Sequence, residues 1–163
     1  MLMESSMSAA TKEVQLYARG HVSKYGRHEG SWSCHLQYGR YNCGYLSGDD
    51  PSHSKKRMQL LGIIAGLKAL KYPCTVEVKT ADDYILDCGW RLLRPKSTDL
   101  FVRGVHNGSA KNADLWRQIE ELKKIRHITI TAGTATALRR EVTSAEYWAA
   151  HGPVRLTDYV DAP

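Results

Sequence analysis

Along this chain the hydrophobic period changes in an order that leaves few folds open. Three segments, "VQLYARG" (14–20), "SWSCHLQY" (31–38) and "YNCGYLSG" (41–48), read as strands, the last two joined at the tight turn Gly39-Arg40. "SKKRMQLLGIIAGLKAL" (54–70) then reads as an amphipathic helix, entered through the breaker segment "DDPSHS" with Ser54 as N-cap. A strand follows at "TVEVKT" (75–80), a helix at "DDYILDCGWRLLR" (82–94) with Pro95 after it, and a polar, basic excursion over 95–111. A helix at "NADLWRQIEELKK" (112–124), a strand at "HITITA" (127–132) and a helix at "EVTSAEYWAAH" (141–151) complete the order. Three consecutive strands followed by alternating helices and strands, β-β-β-α-β-α-α-β-α, imply an α/β chain whose mixed sheet is covered by helices.

A length of 163 residues favours one domain with a real core. Residues 1–12 read as a disordered tail, 13–152 as the domain and 153–163 as a C-terminal tail. No apolar run approaches the ~18 residues of a membrane span, and "MLMESSMSAATKE" lacks the pattern of a secretory leader. Cys34, Cys43, Cys74 and Cys88 show no C-x-x-C spacing, so they read as buried reduced thiols in a cytoplasmic or other reducing compartment. Gly62 and Gly66, one turn apart, each cost about 1 kcal/mol of helix propensity, which implies close packing against a sheet. The net charge of +6 leans toward an anionic partner, of which nucleic acid is the common one.

Five fragments in order resemble type 1 ribonuclease H over roughly residues 14–151. "VQLYARGH" is similar to that family's V-x-I-F-T-D-G-S strand, and "RMQLLGIIAGLKAL" to its R-M-E-L-x-A-x-x-x-A-L-x-x-L helix. "VEVKTADDYI" resembles V-x-I-x-T-D-S-x-Y-V, "KNADLW" resembles K-N-x-D-L-W, and "AEYWA" resembles C-D-E-L-A. The resemblance implies a ribonuclease H-like fold: a five-stranded mixed sheet of order 3-2-1-4-5 flanked by helices. It also implies two-metal cleavage of the RNA strand in RNA–DNA hybrids.

Two divalent cations about 4 Å apart need several carboxylate ligands. Carried over residue by residue, the family's four carboxylate positions fall on Arg19, Gln59, Ala81 and Glu146, with Ser144 the alternative to the last. The family's mobile histidine has no counterpart in "AGTATALRRE". A guanidinium among metal ligands repels a cation by about 4 kcal/mol per unit charge at 4 Å, even at an effective dielectric of 20. Arg19 is therefore expected to pair with Glu146, to touch a substrate phosphate, or to sit partly exposed. Asp82 and Asp83 read as acids at a helix N-terminus.

From these residues the expectation is a catalytically inactive ribonuclease H-like protein that binds hybrid or duplex nucleic acid or acts as a regulatory factor. It is expected not to be an enzyme and to need no metal, cofactor or membrane. The alternatives are a protein-interaction subunit of a larger assembly and a divergent metal-dependent ribonuclease H. The residues expected to grip nucleic acid are Lys24, Arg27, Lys55, Lys56, Arg57, Trp90, Arg91, Arg94, Lys96, Arg103, Lys111 and Asn112. Trp90 and Trp116 are alternatively core residues.

Overall fold

A computed structural model of the chain describes residues 12–22, 30–38, 41–51, 54–70 and 73–133. Its strands are β1 (Lys12–Val22), β2 (Gly30–Tyr38), β3 (Tyr41–Asp50), β4 (Cys74–Thr80) and β5 (His127–Ala132). They form one sheet in the order β3-β2-β1-β4-β5. β2 lies antiparallel to both β1 and β3, while β4 lies parallel to both β1 and β5. The mixed sheet and its order are those the resemblance implies.

Alternation along β1 decides what each face of the sheet meets. Val14, Leu16 and Ala18 enter the core with Cys34 and Leu36 of β2 and Val76 and Val78 of β4. Gln15, Tyr17 and Arg19 leave on the other face, where the Tyr17 and His35 rings stack at 5.7 Å. Helix α1 (Lys55–Ala69) packs on β1 and β2. Its Ser54 N-cap accepts a hydrogen bond from the Arg57 amide at 3.2 Å. The expectation of an amphipathic α1 is corrected, because Met58, Gln59, Leu60, Gly62, Ile63, Ile64, Gly66 and Leu67 are all buried. A helix set between a sheet and another helix has little face left for solvent.

The remaining helices are α2 (Asp83–Leu93), α3 (Leu100–Asn107) and α4 (Ala113–Lys123). The polar excursion is corrected by α3. Asp99 caps this helix by accepting from the Phe101 and Val102 amides at 2.9 and 3.3 Å. Phe101 then meets the fully buried Trp116 edge-on at 5.8 Å. Gly108, in the left-handed region at φ 86°, ends α3. The last predicted helix, 141–151, and both predicted tails apart from residue 12 lie outside the described residues.

Candidate functional site

The C-terminal ends of β1 and β4 and the N-terminal half of α1 converge at one end of the sheet. Parallel pairing sets Tyr17 opposite Lys79, the last pair of that ladder, and Arg19 and Ala81 each follow it by two residues. Gly20 returns to the α1 face and lets the helix approach. A Cβ there would stand 2.5 Å from the Lys55 carbonyl oxygen and 2.9 Å from the Gln59 nitrogen. Gln59 is buried, and its Oε1 accepts a hydrogen bond from the Thr80 hydroxyl at 3.4 Å. The same hydroxyl accepts from the Asp82 amide at 3.1 Å. Gln59 thus ties the second turn of α1 to the end of β4 by a neutral hydrogen bond, while Arg19 leaves the sheet on the opposite face beside Ser33.

The nearby carboxylate is committed to the fold. Asp82 caps α2, accepting from Tyr84 and Ile85 amides at 2.8 and 3.3 Å, and pairs with Lys56 Nζ at 3.2 Å. Asp83 follows in the first turn, so both acids occupy the helix-terminal places expected of them. Among the described residues no three His, Cys, Asp or Glu side chains cluster as metal ligands. Arg19, Gln59 and Ala81 do not fit a pair of divalent cations, because a cation, a hydrogen-bonded amide and a methyl group supply no anionic oxygen. Glu146 and Ser144 lie outside the described residues.

The basic residues divide by what they touch. Arg57 makes two hydrogen bonds to Asp114, at 3.1 and 2.6 Å, and a third to Asn112 at 3.3 Å. The Arg57 guanidinium holds the Asp114 carboxyl below the ordinary carboxylate range. Arg91 pairs with Asp99 at 2.7 Å and lies 5.3 Å from the Phe101 ring, and its hydrogen bonds hold the Asp99 carboxyl low. Asn112 donates to the Tyr84 hydroxyl at 3.2 Å, which also receives Trp116 Nε1 at 3.0 Å. These three fasten α1, α2, α3 and α4 to one another. By contrast Lys55, Arg94, Lys96, Arg103 and Lys111 are exposed. Trp90 is 57% exposed, and the Arg94 guanidinium lies 4.3 Å from its ring centre. Of the alternative core pair, Trp116 is core and Trp90 is surface. Lys24 and Arg27 lie outside the described residues.

Sequence reasoning missed Tyr84, Asp99 and Asp114 as fasteners. Asp99 was signalled by its place before "LFV", an N-cap pattern. The link between Arg57 and Asp114 spans 57 positions and leaves no local signal.

Comparison with known proteins finds relatives named Ribonuclease H. That of Chlorobium limicola is 34% identical over 122 residues, 72% of this chain and 80% of that protein. That of Cupriavidus metallidurans is 31% identical over 124 residues, 72% and 79% respectively. No protein-family profile matches. Among solved structures, a type 1 RNase H with the type 2 active-site motif superposes with a TM-score of 0.68 at 16% identity, covering 93% of this chain and 82% of that one. The PFV RNase H domain gives 0.62 at 17% identity, covering 88% and 96%. The foamy viral protease-reverse transcriptase in complex with RNA/DNA hybrid gives 0.57 at 15%, covering 85% of this chain and 20% of that one. The expectation of a catalytically inactive binding or regulatory protein, and of a chain that is not an enzyme, is corrected by these relatives. Their shared name is that of an enzyme, and the match spans about four-fifths of their length. The divergent-enzyme alternative fits better.

Proposed function

Because this chain belongs to the ribonuclease H family, we propose that it is a divergent ribonuclease H, recognising RNA–DNA hybrids and hydrolysing their RNA strand. The observation that carries this reading is the 34% identity held over 122 residues, together with the strand order of the sheet. A fold neighbour complexed with RNA/DNA hybrid supports the choice of ligand. Positions 19, 59 and 81 bring no carboxylate, so no step is assigned to them.

The chain's own residues account for binding and placement. Exposed Lys55, Lys96, Arg103 and Lys111 offer charge to phosphates, which gives affinity with little sequence selectivity. Trp90, backed by Arg94, offers a ring for stacking against a base or sugar. The Lys56–Asp82 pair and the Arg57–Asp114 pair hold the helix termini around the end of β4, so that the surface keeps its shape when a duplex docks.

The test is incubation of the full chain with end-labelled hybrid, DNA duplex and RNA duplex, in magnesium, in manganese and in chelator. Cleavage of the RNA strand of the hybrid alone is expected, lost in Glu146→Ala, the carboxylate that the resemblance retains. An intact hybrid under every condition with protein in excess would overturn the reading.

A further inference from the structure

Four residues close a ring over one turn of α1 at the end of β4. Lys56 Nζ pairs with Asp82 at 3.2 Å, and the Asp82 amide donates to Thr80 Oγ1 at 3.1 Å. The Thr80 hydroxyl donates to Gln59 Oε1 at 3.4 Å, and α1 itself returns from Gln59 to Lys56. A threonine hydroxyl has a single proton, so the ring fixes which way round the Gln59 amide lies. Turned over, the amide would leave that proton without an acceptor among the described residues, in a side chain only 2% exposed. Oε1 is therefore held on β4, and Nε2 is held away from it.

Nε2 is the part of the Gln59 amide that the fold does not use. It has no hydrogen-bond partner among the described residues, and it is not one of the buried polar atoms closed off from solvent. The rest of the side chain is enclosed: Gln59 is only 4% exposed, and its backbone lies against Gly20. Its rotamer is already fixed by that packing, so its two N–H groups are presented with little further ordering cost. Such groups donate and cannot ligate a cation, whereas an anionic oxygen is a strong acceptor for them. Asp82, the acid of the ring, is paired with Lys56, which reduces its repulsion of an anion placed there. The position that the resemblance gives to a carboxylate facing a cation thus carries the opposite polarity, a donor facing an anion.

We propose that Gln59 is a substrate-binding residue of the hybrid-cleaving activity proposed above, its Nε2 donating to a backbone phosphate oxygen of the bound hybrid with no cation between them. The inference rests on that reading and adds to it how one carboxylate-free position takes part.

The full chain, ¹⁵N-labelled, is titrated in chelator with a hybrid duplex and, separately, with inorganic phosphate. The Gln59 side-chain amide signals are assigned by their loss in Gln59→Glu, which keeps the side-chain shape and an oxygen for Thr80. On saturation with hybrid these signals are expected to shift and to exchange more slowly with solvent. Gln59→Met is expected to weaken hybrid binding about tenfold, the contribution of one hydrogen bond to a charged acceptor. The slope of its log affinity against log salt is expected to stay that of wild type, because no charge is removed. Gln59→Glu is expected to weaken binding further, since it sets an anionic oxygen against the phosphate while the Thr80 contact is kept. Signals that stay in place in the saturated complex, or that move with inorganic phosphate and not with hybrid, overturn the proposal. Gln59→Glu binding as tightly as wild type also overturns it, and leaves Gln59 as a fastener between α1 and β4. The two readings fail separately. Hybrid that shifts the Gln59 amide and goes uncut in magnesium and manganese overturns cleavage alone, and hybrid that is cut with the amide unmoved overturns this contact alone. Absence of hybrid binding overturns both.

Discussion

Asn112 is the sharpest place to separate a ligand from a fastener. It holds the left-handed region at φ 59° and ψ 28°, the one non-glycine residue among those described with positive φ. Its Oδ1 accepts from Arg57 and its Nδ2 donates to the Tyr84 hydroxyl. Asn112→Gly removes both bonds and leaves the backbone unstrained. The neutral bond contributes about 1 kcal/mol and the charged one about 1.5 kcal/mol, so the loss is about 2.5 kcal/mol. Asn112→Ala loses the same bonds and also forces a Cβ into the left-handed region, adding about 1–2 kcal/mol. Urea unfolding of the full chain, extrapolated linearly, is therefore expected to rank wild type above glycine above alanine, with unchanged slope. Because both polar ends of the side chain are used inside the fold, the glycine variant is expected to bind hybrid within about twofold of wild type when both are fully folded. Equal stability of the alanine and glycine variants would refute the backbone argument. A glycine variant of undiminished stability that loses hybrid affinity would show that Asn112 touches the nucleic acid itself.

Gly66→Ala is expected to destabilise by about 1 kcal/mol, because overpacking of about 1–3 kcal/mol outweighs the ~1 kcal/mol gained in helix propensity. Its Cβ would stand 2.5 Å from Cys34 Sγ and 2.7 Å from Leu16 Cδ1, both side chains being fully buried; a stabilised variant, or one not relieved by Cys34→Ala, would contradict this. The Asp114 carboxyl is depressed in the fold, so its contribution is present above the unfolded carboxylate value, near 3.9, and lost as pH falls through the folded one. The stability gap between wild type and Asp114→Asn is thus expected to be constant above about pH 5, to close below about pH 4, and to shrink with salt; a gap that persists in acid would refute the linkage. Lys96→Ala is expected to lower the slope of log affinity for hybrid against log salt by about 0.9, and an unchanged slope would remove Lys96 from the contact surface.

How far the sequence reaches depends on the range of the interaction concerned. Strand alternation is local, so a mixed sheet was legible from it, whereas the strand order was legible only through the family resemblance. α3 was not, because it is only eight residues long, includes Gly104 and lies within a polar, basic stretch, and the helix is secured by Asp99 and by Phe101 against Trp116. The basic residues were legible as charge but not as partners: Arg57 meets an acid 57 positions away, and Arg91 meets one eight positions away across a helix end. The same distinction explains the error over activity. Arg19, Gln59 and Ala81 state what three positions cannot ligate, and the hydrogen bond from Thr80 to Gln59 shows how one of them is held instead. They bear on one ligand set, whereas the proposed function also depends on how a duplex is gripped and on groups elsewhere. Kinship across 122 residues samples those other features together. A three-position argument can limit where chemistry is placed, but it does not extend to whether the chain has any. The decisive measurement is therefore RNA-strand cleavage by the intact protein, read with and without Glu146.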